Sequence, residues 1–192
     1  MNGRNHDSEL ALRDEAWLIG QVAVGDRCAF ENLYRLYFPR ISRFLYRMTR
    51  NVQLIEEITN DAMLAVWQKA ATFNGSCKVS TWIFAIAYRK ACKALHALDE
   101  PLESFPDTWE GEPSCQPERL FEQLRLGDAV NAALDTLPLA QRAAFQLTFF
   151  HDMGYAEIAD VMDCPVNTVK TRLLHARRRL ARLLADQLEE RT

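Results

Sequence analysis

The chain of 192 residues has seven glycines and only four histidines. His6, His96, His151 and His175 fall on separate segments, without the spacing that gathers metal ligands. Cysteine is scarce and scattered: the five thiols at 28, 77, 92, 115 and 164 form no paired-cysteine zinc signature, and their odd number argues against a disulfide framework. They read as reduced thiols of a cytoplasmic protein. No apolar run approaches the roughly 18 residues of a membrane span, and the opening MNGRNHDSELALRDE lacks the apolar core of a signal peptide, so no direct membrane insertion is expected. No nucleophile motif and no phosphate-cradling glycine loop is present. The expectation is therefore no catalytic residues, no metal and no cofactor: a chain that is not an enzyme. Strand-like alternation of useful length is also missing, as is any internal repeat, which leaves an all-α fold.

What is there is charge, unevenly spread. The net charge is only -3. Yet Phe30 to Leu98 holds ten Lys or Arg against four acids, and Val166 to Leu183 holds six against none. Asp99 to Glu118 inverts this, with seven acids, no base and four of the seven prolines. Prolines at that spacing remove amide donors and clash with the preceding turn, so 99–118 reads as an acidic, Pro-rich linker between two small helical domains. The expected divisions are an N-terminal, partly helical segment 1–28, a first domain 29–98, the linker 99–118 and a second domain 119–192. The linker is either a solvated spacer or, with Phe105 and Trp109, a mimic of nucleic acid in a basic channel.

Periodicity places the helices. Phe30, Leu33, Tyr34, Tyr37, Ile41, Leu45 and Met48 recur at steps of three and four across Ala29 to Met48, and Ile55, Ile58, Ala62, Ala65 and Val66 do so across Leu54 to Thr72. A third helix, Ser80 to His96, carries Trp82, Ile83, Ile86, Ala87 and Ala91, with Ser80 or Thr81 as its cap. FNGSCKVS, with its Asn-Gly pair, is the loop before it. The second domain opens with Leu120 to Leu134 and Leu139 to His151, then offers two short helices around one turn.

That last pair, GYAEIADVMDCPVNTVKTRLLHARRR, carries the chemistry. Ile158, Ala159 and Val161 face inward on the first helix. Pro165 breaks the chain, Asn167 is placed to cap the second helix, and Asp163 and Asn167 tolerate the left-handed backbone such a turn needs. The second helix buries Val169, Leu173, Ala176 and Leu180 and turns out Thr168, Thr171, Arg172, His175, Arg178, Arg179 and Arg182. This is the pattern of a helix-turn-helix whose recognition helix enters a major groove, early polar residues meeting base edges and later cations meeting phosphates.

Over nearly its whole length the chain resembles a group IV, extracytoplasmic-function (ECF) sigma factor of the sigma-70 family of bacterial RNA polymerase. FENLYRLYFPRISRFLYRMTRN and IEEITNDAMLAVWQKAATFNGSCKVSTWIFAIAYRKACKALH are similar to region 2. AALDTLPLAQRAAFQLTFFHDMGYAEIADVMDCPVNTVKTRLLHARRRL is similar to region 4. The resemblance implies that the first domain holds the minus-ten promoter element through Phe73, Asn74, Gly75, Ser76, Cys77 and Lys78, with Arg89, Lys90 and Lys93 following the backbone. It implies that Asn167, Thr168, Lys170, Thr171, Arg172 and His175 read the minus-thirty-five element, with Arg178, Arg179 and Arg182 on phosphates. Core RNA polymerase would dock on Leu54, Glu57, Ile58, Asn60, Asp61, Leu64 and Trp67. Two positions depart from the family pattern on the third helix: Ala85 stands for the usual Arg and Arg89 for the usual Asn. Control by an anti-sigma factor, the cytosolic part of a membrane protein, is a further implication. The rival reading is a stand-alone helix-turn-helix transcription regulator, which accounts for 150–184 but gives no reason for the basic, aromatic first half.

Overall fold

The computed structural model describes residues 14–97 and 132–189, with side chains to residue 183. The linker 99–118 and most of the helix expected over Leu120 to Leu134 lie outside the described residues. Within them every regular element is helical. Helix α1 is described over 14–23, followed by α2 (Arg27–Tyr46), α3 (Val52–Lys69) with a 3-10 turn at Ala70–Thr72, and α4 (Val79–Ala97). Then come a short α5 (132–135), α6 (Leu139–Phe149), α7 (Tyr155–Met162) and α8 (Val166–Glu189).

The first helices start where side chains can satisfy free amides. Asp26 Oδ1 accepts from the Cys28 and Ala29 amides at 2.7 and 3.1 Å, and Asn51 Oδ1 accepts from the Leu54 amide at 3.0 Å. The start of α4 differs from the sequence expectation. It begins at Val79, so Ser80 and Thr81 are inside the helix rather than capping it, and Thr81 is buried. In α8 likewise, the Pro165 carbonyl accepts from the Thr168 and Val169 amides at 2.9 and 3.3 Å. Asn167 therefore sits in the first turn instead of at the cap, and its carbonyl accepts from Thr171 Oγ1 at 3.0 Å.

Helices α2, α3 and α4 pack in sequence, and α7 lies against α4. α6 and α7 both contact α8. The expected apolar stripes are the core: Leu33, Tyr37, Ile41 and Leu45 on α2, Ile55, Ile58, Ala62 and Val66 on α3, and Ile83, Ala87 and Ala91 on α4. Phe44, absent from the expected stripe, is fully buried and meets Phe84 edge-on at 5.5 Å. One contiguous cluster runs from Ile19 through these residues to Ala143, Leu147, Ile158, Val161, Val169 and Leu173. A smaller one joins Ala133, Leu134 and Leu137 to Ala176 and Leu180. The two halves thus share an apolar interior. It explains why α4 is buried almost all round, Phe84, Ala85 and Tyr88 included: a single-stripe pattern describes a helix with one neighbour, and α4 has one on each side.

The seam between the halves is also polar. Arg142 Nη1 donates to the Arg47 carbonyl at 3.3 Å, and the Asp135 carboxylate is shared by Arg50 at 2.9 Å and Arg142 at 3.3 Å. The Arg47 guanidinium lies 3.6 Å from the Phe150 ring centre. The His151 ring packs against Phe44 and Phe84. α1 is tied to α2 by Tyr37, whose buried hydroxyl donates to Glu15 at 2.7 Å. Burial, then the Glu15 charge, pushes that phenol far above its ordinary range.

Candidate nucleic-acid interface

Three surfaces were expected, and the structure places their residues differently. On the second half, α7 ends at Asp163, whose φ of 50° and ψ of 57° put it in the left-handed region; Asp is among the few non-glycine residues that tolerate it. Asn167 is not in that region, so the reversal rests on Asp163 alone. The Cys164 amide returns to the Ala159 carbonyl at 3.1 Å, and α8 packs against α6 and α7 with Val169, Leu173 and Ala176 buried. That sets the outward register of α8. Asn167, Lys170, Thr171, His175, Arg178, Arg179 and Arg182 are exposed and Thr168 is half-buried, all on one basic helix surface. Arg172 is held back. Its Nη1 lies 3.4 Å from Cys164 Sγ and 3.9 Å from Met162 Sδ, so its guanidinium packs on the turn instead of standing free.

On the first half, the segment after the 3-10 turn is shaped by its own residues. Asn74 Oδ1 accepts from the Ser76 amide at 3.0 Å, and Gly75 takes a φ of 74° that a side chain would resist. Phe73 is half-buried against Trp82, with ring centres 5.5 Å apart, which makes Trp82 the support of the loop. Asn74, Gly75, Ser76 and Lys78 are exposed and Cys77 is half-covered. Burial, then the charges of Asp160 and Glu157, pushes the Cys77 thiol up from its usual range. Arg89 and Lys93 are exposed on α4, whereas Lys90 reaches across to Asp61 of α3 at 3.0 Å.

On α3 the expected docking residues divide. Glu57, Asn60, Asp61 and Leu64 are exposed, Leu64 at 53%, and Leu54 and Trp67 are half-buried beside them. Ile58 is a correction: it is 3% exposed, on the inward stripe with Ile55 and Ala62, and can shape that face only from beneath. Asn60 Oδ1 accepts from the Tyr34 hydroxyl at 2.9 Å, and Phe30 meets Trp67 edge-on at 5.1 Å, so α2 steadies the face.

Sequence reasoning missed the group that sits against the loop. Glu157, on α7, places Oε1 at 2.9 Å from Lys78 Nζ and 3.4 Å from Thr81 Oγ1, while Oε2 accepts from the Gly154 amide at 2.8 Å. Burial alone would raise its pKa. The Lys78 ammonium, the Gly154 amide and Thr81 outweigh it and hold the carboxyl below its usual range. Glu after Gly-Tyr-Ala is legible as a capping residue, but nothing local shows that it crosses to a lysine 79 positions earlier. A second feature missed is a cleft where Arg40, Arg43 and Arg47 of α2 face Phe150, His151 and Asp152. Burial, followed by the charges of Arg40, Arg47 and Arg43, lowers the His151 pKa to about 4.

All of these surfaces except Arg182 fall inside two matched families: "Sigma-70 region 2" over residues 33–99 and "Sigma-70, region 4" over residues 127–180. The chain is 32% identical over 158 residues to "ECF RNA polymerase sigma factor RpoE" of Cereibacter sphaeroides, covering 81% of this chain and 86% of that protein. Among solved structures it resembles CnrH, in "Structure of CnrH in complex with the cytosolic domain of CnrY", with a TM-score of 0.68 and 21% identity over 90% of this chain and 98% of that one. It also resembles the sigma factor RpoE of Bartonella quintana, solved in complex with the anti-sigma factor NepR, with a TM-score of 0.66 and 22% identity over 81% and 96%. With both regions matched in order and a relative 32% identical over most of its length, the chain belongs to the extracytoplasmic-function sigma factors of the sigma-70 family.

Proposed function

We propose that this sigma factor binds core RNA polymerase and directs it to promoters, and is held inactive by an anti-sigma factor until a signal releases it. The observation that carries the reading is the presence of both regions in one chain, each with a basic, exposed surface. Region 2 would engage the minus-ten element through Phe73 to Lys78 with Arg89, Lys90 and Lys93. A base unstacked from the duplex costs a few kcal/mol, which a stacking ring at Phe73 and polar edges at Asn74 and Ser76 would offset. Region 4 would read the minus-thirty-five element through Asn167, Thr168, Lys170, Thr171, Arg172 and His175, and grip phosphates through Arg178, Arg179 and Arg182. Core polymerase would meet Leu54, Glu57, Asn60, Asp61, Leu64 and Trp67.

The polymerase would carry out the chemistry and this chain would aim it, so the chain itself is not an enzyme and takes no cofactor. Its domains would be 29–98 and 119–192, tethered by 99–118, and its place the cytoplasm, consistent with the absence of any described helix long and apolar enough to cross a membrane. The anti-sigma partner is supported by two structural relatives, one solved with the anti-sigma factor NepR and one with the cytosolic domain of CnrY. The test is run-off transcription on genomic fragments: initiation at defined starts only when core enzyme and this chain are both present. Tight, specific duplex binding by the free chain, with no initiation, would return it to the stand-alone regulators.

A further inference from the structure

We propose that α7 is an internal competitor for the minus-ten strand, so that the free chain rests closed, with its own second half engaging the Lys78 end of the loop that would hold promoter bases. The proposal rests on the reading of 73–78 as a strand-binding loop. Lys78 is the cation best placed to meet a phosphate there, and its ammonium is 2.9 Å from Glu157. It cannot serve a carboxylate and a phosphate at once. Thr81, in the first turn of α4, is 1% exposed and bonds the same carboxylate. Asp160 stands three residues on, on the same side of α7 by helical spacing, and its charge reaches the Cys77 thiol. Two carboxylates are thus presented to the loop in place of a strand's phosphates.

The recognition helix faces the first half through charge. The Arg172 guanidinium rests on Cys164, and its charge reaches Tyr88 and Cys92 of α4. Capping does not require the Glu157 charge, because Oε2 alone accepts from the Gly154 amide and an amide oxygen can replace it. The charge is left for Lys78.

The test uses the full-length free chain with an energy-transfer pair attached at exposed positions 53 and 181, and a fluorescent mixed-sequence single strand of about 12 nucleotides as probe. High transfer is expected for the wild type. Glu157→Gln should keep the α7 cap, lower the transfer and tighten strand binding about fivefold, the scale of one partly exposed ion pair. Asp160→Asn, which touches no cap, should move both readouts in the same direction. If neither variant changes strand affinity, the contact is structural only and the proposal falls, whatever happens to the transfer. If Glu157→Gln fails to fold, Asp160→Asn decides alone. Run-off transcription by the wild type is measured in parallel: its failure would remove the sigma-factor reading, while the competition by α7 stands or falls on the strand affinity of the two variants.

Discussion

At the scale of single residues, backbone and polar satisfaction set the largest effects. Asp163 occupies the left-handed region, where a β-branched residue is strained by about 1 to 2 kcal/mol. Asp163→Val should lower stability by that amount in thermal melts, whereas Asp163→Gly should match or exceed the wild type. Gln146 is fully buried on α6, and neither its amide nitrogen nor its amide oxygen has a partner among the described residues. Removing the amide at nearly constant volume, as Gln146→Met, should raise stability by about 1 kcal/mol in denaturant titrations. A loss instead would show that the amide is hydrogen-bonded in solution. The Asp163 turn was legible in the sequence, because Asp before Cys-Pro is one of few ways to reverse a chain without glycine. The Gln146 burial was not, since a polar residue on an apolar stripe reads locally as a solvent position.

At the scale of elements, caps and loops decide function. On the reading above, Arg172→Ala should weaken discrimination of the upstream element by roughly 1 to 3 kcal/mol, measured by competition between upstream sequences with holoenzyme. Equal loss on every sequence would make Arg172 a phosphate contact. Asn74 has its side-chain oxygen committed to the Ser76 amide, so Asn74→Ala should loosen the loop and slow strand opening, read by permanganate reactivity, more than it weakens the first duplex complex. Helix positions were legible to within a few residues, because the stripes on α2 and α3 pack against helices of the same half. Helix α4 was less so: Phe84, Ala85 and Tyr88 are buried beyond the expected stripe, and no periodicity within 80–96 announces that α7 from the far half of the chain packs on it. Ile58 shows the converse limit. A motif assigns it to the polymerase face, but the stripe it shares with Ile55 and Ala62 puts it in the core.

At the scale of the whole molecule, the seam between the halves couples charge to stability. His151 packs on Phe44 and Phe84 and faces Arg40, Arg43 and Arg47, with Asp152 in the same cleft. Its pKa is about 4 in the folded chain against 6.5 ordinarily. The unfolded chain therefore takes up the proton first, and stability complete above pH 6.5 is lost as pH falls toward 4. The full effect is on the order of 2 to 3 kcal/mol. His151→Phe should flatten the fall in melting temperature across that window; an unchanged profile would assign the acid sensitivity to other groups. None of this was legible from one histidine followed by Asp, because its surroundings come from α2 and α4, far upstream in the chain. The contiguous interior from Ile19 to Leu173 has a calorimetric consequence. Heat should dismantle the two regions in one cooperative transition, with neither acting as an autonomous unit while they remain docked.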